Sequence, residues 1–115
     1  MRLECNLKGD VLIARPLDAR IDAASSIFFK NALGEWINKG CKRIVLDLQN
    51  VEFVDSSGLG VIISTLKAME GKGDLVLSGV KTGVMSLLCL TRMNRVFRIY
   101  DYNEEALGAI RGGRE

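Results

Sequence analysis

Two runs decide the fold: Arg43-Ile44-Val45-Leu46-Asp47-Leu48 and, after a short connection, Val54-Asp55-Ser56-Ser57-Gly58-Leu59-Gly60-Val61-Ile62-Ile63. The first is almost unbroken in apolar, β-branched residues, the pattern of a central strand covered on both faces. In the second, Leu59, Ile62, Ile63, Leu66 and Met69 fall on one helical face. They predict a helix from about Ser57 to Glu70, stopped by Gly71-Lys72-Gly73. The junction departs from good helix chemistry. Gly58 and Gly60 stand in its first turns, where each costs about 1 kcal/mol against alanine. Directly before them come an aspartate and two serines. Such a junction offers free backbone N–H groups, a close backbone approach and exposed hydroxyls. It suits an anion, either a bound ligand or a phosphoryl group placed on a serine. The plainer reading has Ser56 capping the helix and the glycines admitting tight helix–sheet packing.

Upstream, Leu3 to Asn6 and Val11 to Ala14 are short β-prone runs around Lys8-Gly9-Asp10, a hairpin signal. Pro16 ends the second run and opens a loop to Asp22. From Ala23 to about Lys39 the sequence predicts a helix with Asp22 as N-cap, Phe29, Ala32, Leu33, Trp36 and Ile37 as its buried face, and Gly40 as its stop. Downstream come a strand at Leu75 to Leu77, a loop from Gly79 to Gly83, and a helix marked by Val84, Leu87, Leu88 and Thr91. A last strand at Phe97 to Tyr100 and a helix from Asn103 to Ile110, capped by Asn103, complete the pattern. Strands alternating with helices after a hairpin give an α/β domain with a mixed sheet. Residues 111–115 read as a frayed tail.

Composition narrows the function. The 115 residues, 48% hydrophobic and 26% charged, make one ordinary domain that buries roughly two thirds of its surface. A net charge of +2 gives no electrostatic case for nucleic acid or an anionic membrane. There is no histidine, so neither Ser-His-Asp nor Cys-His chemistry can be assembled, and metal sites lose their commonest neutral ligand. Cys5, Cys41 and Cys89 form no CxxC pair and sit in apolar settings, which predicts buried free thiols in a reducing cytosol. Among the first ten residues, Arg2, Glu4, Lys8 and Asp10 interrupt any apolar core, so no secretory signal is expected. No run approaches the length of a membrane span. A cytoplasmic protein is expected. No GxGxxG, GxxxxGK[ST] or GxSxG pattern occurs. Asp18, Asp22 and Asp55 could form a Mg²⁺ cluster only if the fold made them converge, and no metal or cofactor is expected. Phe28 reads as an edge-of-core aromatic ahead of a partner anchor. Arg92, Arg95 and Arg98 read as solvated charges, and Met85 and Met93 as core filler.

With these residues in view, Val54-Asp55-Ser56-Ser57-Gly58-Leu59-Gly60-Val61 resembles the signature of the STAS domain, and within it that of the bacterial anti-sigma factor antagonists. The resemblance runs from the hairpin through Ile44-Val45-Leu46-Asp47-Leu48 to Val96-Phe97-Arg98-Ile99-Tyr100-Asp101 and Glu104-Glu105-Ala106-Leu107. It implies a single STAS domain over residues 1–110, with an open mixed sheet of about five strands and about four helices. It further implies a non-enzymatic switch. Unphosphorylated, the protein would bind a cognate anti-sigma factor that is also an ATP-dependent serine kinase, and so free the sigma factor. Phosphorylation of Ser56 would end that binding, and a PP2C-type phosphatase would reset it. Asp22, Asp55, Ser56, Ser57, Gly58, Leu59 and Gly60 would form the partner site. Asp22 matches an acidic residue of the family, although Ala19-Arg20-Ile21-Asp22 lacks the glycine often found in that loop. The alternative within the fold is a constitutive scaffold or regulatory subunit of a larger signalling or transport assembly. A receiver domain taking phosphate on Asp47 would need an acidic pair after the first strand, and this chain has none there.

Overall fold

The N-terminal hairpin joins β1 (Leu3–Lys8) to β2 (Val11–Pro16), paired antiparallel from Leu3 opposite Pro16 to Lys8 opposite Val11. In the computed structural model, which describes residues 1–112, the chain then runs through β3 (Arg20–Ile21), α1 (Ala23–Asn38), β4 (Arg43–Asp47), β5 (Phe53–Val54) and α2 (Ser56–Met69). After these come β6 (Asp74–Ser78), α3 (Thr82–Leu90), a 3-10 turn (Met93–Arg95), β7 (Ile99–Tyr100) and α4 (Asn103–Gly112). The main sheet has the order β1-β2-β4-β6-β7, and all its pairings after the hairpin are parallel. This is the expected α/β arrangement: a mixed five-stranded sheet with four helices.

The period-2 alternation of the strands sorts their side chains onto two cores. Leu12, Ala14, Ile44, Leu46, Leu75 and Leu77 point to one face, where they meet Phe29 and Leu33 of α1, Ile62 and Met69 of α2, and Val84 and Leu88 of α3. Val11, Ile13, Val45 and Val76 point to the other and are covered by Ala106 and Ile110 of α4. Both faces of β4 are thus dry, which is why its sequence shows no polar alternation. Gly40 (φ +100°) follows α1 in a conformation that side chains disfavour, so the expected stop holds.

Several expectations need correction. The loop before α1 and the connection after β4 contribute a second sheet, in which Arg20 and Ile21 of β3 pair parallel with Phe53 and Val54 of β5. The last strand is two residues long; Phe97 instead plugs the first core after the 3-10 turn. Asn103 does not cap α4 but lies inside it and donates from Nδ2 to Asp47 Oδ2 at 2.9 Å. α4 also continues to Gly112, and Arg111 Nη2 donates to the Lys8 carbonyl at 2.8 Å, within the stretch expected as tail. Residues 113–115 of that tail lie outside the described residues. The three cysteines are free but not deeply buried: Cys5 and Cys41 are half-buried and Cys89 is exposed. On α3 the core takes Val84 and Leu88, and Cys89 is turned outward. Phe28 is 49% exposed beside Ile27, because Phe29 takes the inward position.

Candidate functional site

The second sheet builds the site. Pairing β3 with β5 brings the residue after Ile21 beside the residue after Val54, and those residues are Asp22 and Asp55. The Asp55 N–H donates to the Ile21 carbonyl at 3.1 Å and extends the pairing by one step. Each aspartate then starts a helix. Asp22 closes a capping box with Ser25: its Oδ1 accepts from the Ser25 N–H at 3.3 Å, and its own N–H donates to Ser25 Oγ at 3.1 Å. Asp55 Oδ1 accepts from the Gly58 N–H at 3.0 Å, the N-cap of α2. Its Oδ2 accepts from the Ala23 N–H at 3.1 Å, the first amide of α1. One carboxylate therefore holds the N-termini of two helices side by side. The cap of α2 is Asp55 and not Ser56, which corrects the plainer sequence reading.

With Asp55 as cap, Ser56 and Ser57 become the first two helical residues, and both are exposed. Among the described residues neither hydroxyl enters a hydrogen bond, so each is free to meet an incoming group. The two glycines have different reasons. A Cβ at Gly58 would stand 2.6 Å from the Ile21 carbonyl oxygen and 2.8 Å from Ile21 Cγ2, so only glycine allows α2 to sit this close to β3. A Cβ at Gly60 would meet no atom within 4 Å. Gly60 is exposed, and its missing side chain leaves bare backbone on the outer face of α2. Gly58 and Leu59 are buried. They shape the site from beneath and do not line it, so the residues expected there divide into a surface set (Asp22, Asp55, Ser56, Ser57 and Gly60) and a supporting pair.

Two neighbours gave no signal in the sequence. The Arg20 guanidinium lies over the Phe53 ring at 4.3 Å from its centroid, with Nε 3.7 Å from Asp22 Oδ2. Their juxtaposition depends on a parallel pairing between residues far apart in the chain. Asp18 turns away to accept from the Arg2 N–H at 2.7 Å, and among the described residues no group of three or more His, Cys, Asp or Glu side chains could hold a metal ion. Asp47 is only 1% exposed, and its carboxylate accepts from Arg15, Gln49 and Asn103. A carboxylate so enclosed cannot act as a phosphoryl acceptor, which removes the receiver alternative. Arg98 is paired with Asp74, while Arg92 and Arg95 are exposed at the far end of α3.

Comparison with known proteins agrees with this architecture. Residues 4–106 match the STAS domain, and the chain belongs to that family. It is 34% identical over 109 residues to the anti-sigma F factor antagonist of Paenibacillus polymyxa, covering 93% of this chain and 92% of that one. It is 35% identical over 104 residues to a candidate anti-sigma factor antagonist of Thermotoga neapolitana, covering 90% and 92%. The crystal structure of a candidate anti-sigma factor antagonist from Thermotoga maritima superposes with a TM-score of 0.88 at 32% identity, covering 95% of this chain and 94% of that one. These are names of regulatory proteins, in keeping with the expectation of a non-catalytic role. No helix among the described residues is long and apolar enough to cross a membrane.

Proposed function

We propose that this protein is a cytoplasmic anti-sigma factor antagonist whose binding is switched at Ser56. The observation that carries the reading is the double cap. Asp55 spends its carboxylate on two helix N-termini and leaves the Ser56 hydroxyl exposed, next to an acidic pair and bare backbone at Gly60. In the unphosphorylated state, Asp22, Asp55, Ser56, Ser57 and Gly60 present a small hydrogen-bonding surface, with a neutral hydroxyl beside the acidic pair, to an anti-sigma factor serine kinase, which releases its sigma factor on binding. Gly58 and Leu59 hold the backbone of that surface in place.

A phosphoryl group on Ser56 adds about −1.5 to −2 charges. Within the domain the N-terminus of α2 partly offsets that charge. A partner closed around a hydroxyl beside Asp55 instead meets like-charge repulsion and a hydrated group it cannot desolvate. The fold therefore survives while the interface is lost, and a PP2C-type phosphatase restores it.

The test joins site mapping with capture. Protein isolated from its host under several growth conditions is expected to carry a single phosphoryl group on Ser56 in a fraction that changes with condition. Used as bait, the Ser56→Ala variant retains the anti-sigma factor, and Ser56→Asp retains at least tenfold less, about 1.4 kcal/mol of binding. Equal capture by the two variants would sink the switch and leave the constitutive scaffold in its place.

A further inference from the structure

The near-zero net charge of the chain conceals a separation of charge along the strands. The parallel strands of the main sheet start at one end of the molecule: Val11 of β2 and Asp74 of β6 both stand opposite Arg43, the first residue of β4. The hairpin turn and the turns after α1, α2 and α3 close the same end, where Arg43 pairs with Asp10 and Arg98 with Asp74. Beyond those two pairs, Lys8, Lys42, Lys72, Arg92 and Arg95 are exposed there, and among the described residues none has a carboxylate partner. Lys39, over the Trp36 ring, and Arg111 add two more cations, against the unpaired carboxylates of Glu35 and Glu70. The other end carries the acids, among them Asp55, Asp101, Glu104 and Glu105. The five residues of β4 alone span about 16 Å, about two Debye lengths at physiological salt. A surface that meets the basic end therefore senses that end and not the sum.

The same end exposes aliphatic side chains. Leu90, the last residue of α3, is 82% exposed, and Val96, just after the 3-10 turn, is 54% exposed, with Arg92 and Arg95 between them in the chain. Arg92 follows the C-cap Thr91 and is held at φ +63°. Glycine is the usual residue at that position, since it takes this conformation without strain. The fold itself thus gives no reason for an arginine there. The exposed aromatics on which bases could stack, Phe28, Phe53 and Tyr102, lie away from this end, at the start of α1, in β5 and after β7. An acidic protein would answer the cations but would need a pocket for Leu90. A bilayer takes an aliphatic tip wherever it lands, at the boundary of headgroups and acyl chains.

We infer that the basic end docks on an anionic lipid bilayer, with Lys8, Lys42, Lys72, Arg92 and Arg95 facing the headgroup phosphates and Leu90 and Val96 entering the interface. The chain lies on the surface without spanning it. Ser56 begins α2, whose length of about 20 Å separates it from this end. The docked protein keeps its other end free, and the inference stands independently of the switch.

The test is co-sedimentation with vesicles at about 0.15 M salt, comparing phosphatidylcholine alone with a mixture containing roughly one third phosphatidylglycerol. Half-binding is expected at on the order of 0.1–1 mM lipid for the mixture, with no binding to phosphatidylcholine and release at about 1 M salt. The double variant Lys42→Glu, Lys72→Glu should bind at least about tenfold more weakly, whereas Lys81→Glu, the same reversal at the opposite end, should differ by less than about twofold. Arg92→Gly separates binding from folding: its melting temperature should hold or rise while its vesicle affinity falls about three- to fivefold. Leu90→Ser should lower affinity about two- to fivefold. Ser56→Asp should bind the mixture as the unaltered protein does. The inference is overturned if both vesicles bind alike or neither binds, if Lys81→Glu matches the double variant, or if Leu90→Ser makes no difference, as for a surface that meets an acidic protein. Tighter binding to duplex DNA than to the mixture would overturn it in favour of nucleic acid. Should the double variant fail to fold, Arg92→Gly and the lipid and salt comparisons on the unaltered protein still decide.

Discussion

Asp47 ends one strand and Asp55 follows another, and each fills both carboxylate oxygens with hydrogen bonds, yet they do opposite things. Asp47 is sealed, and its donors are mostly side chains: Gln49 from two residues along, and Arg15 and Asn103 from distant parts of the chain. Asp55 is only half-buried and accepts from two backbone N–H groups, which leaves its flanking serines in solvent. The first aspartate ties β2, β4 and α4 together, and the second presents a surface. A carboxylate that takes side-chain donors consumes its surroundings. One that takes backbone donors leaves the neighbouring side chains free for a partner.

The contrast can be broken most forcefully at Asp47. Asp47→Ala leaves the Asn103 amide without its acceptor at a nearly dry position, releases Arg15 and Gln49 towards solvent, and should lower the unfolding free energy by about 2–3 kcal/mol in urea titration. A loss below about 1 kcal/mol would show that water replaces the carboxylate at little cost. Next comes Gly58→Ala, where the added Cβ runs into the Ile21 carbonyl; we expect a loss of about 2 kcal/mol and a matching fall in melting temperature. Asp55→Ala removes one carboxylate from two helix starts and should cost about 1–2 kcal/mol, with Asp22→Ala near 1 kcal/mol. If Asp55→Ala proves no worse than Asp22→Ala, the bond to the Ala23 N–H contributes nothing. Gly60→Ala should change the sign, stabilising by about 0.5–1 kcal/mol while adding a methyl group to the proposed partner surface.

The smallest effect concerns the thiols. Burial pushes the Cys5 thiol above its ordinary value, partly offset by a hydrogen bond with Trp36. Its alkylation should therefore lag behind that of exposed Cys89 and keep increasing to higher pH, as mass mapping after timed iodoacetamide treatment would reveal. Equal rates would mean that β1 opens readily from the sheet.

Much of this molecule is legible in local sequence, because its long elements carry their own signals. The Lys8-Gly9-Asp10 turn, the Asp22 cap and the apolar run of β4 all act within a few residues. What was hidden depends on contacts between distant segments. Arg20-Ile21 and Phe53-Val54 are too short to announce a sheet, so nothing in the sequence showed that the two aspartates converge. Asp55, Ser56 and Ser57 are all competent caps, and the choice falls to Asp55 because β5 places its carboxylate below the Gly58 amide. Asn103 also has the chemistry of a cap, but a buried carboxylate on β4 outcompeted the helix for it. The site's residue types could thus be read in advance, whereas its division into surface and support could not.

The shared cap also bears on motion. Ala23 and Asp55 stand 32 residues apart in the chain, yet one rigid carboxylate restrains the first amides of both helices. If a partner drew that carboxylate outward, both helix starts would lose their anchor in the same instant. Deuterium uptake at Ala23 and Gly58 would then rise in step, each reporting one common opening, so the two helices share a clock as well as a wall.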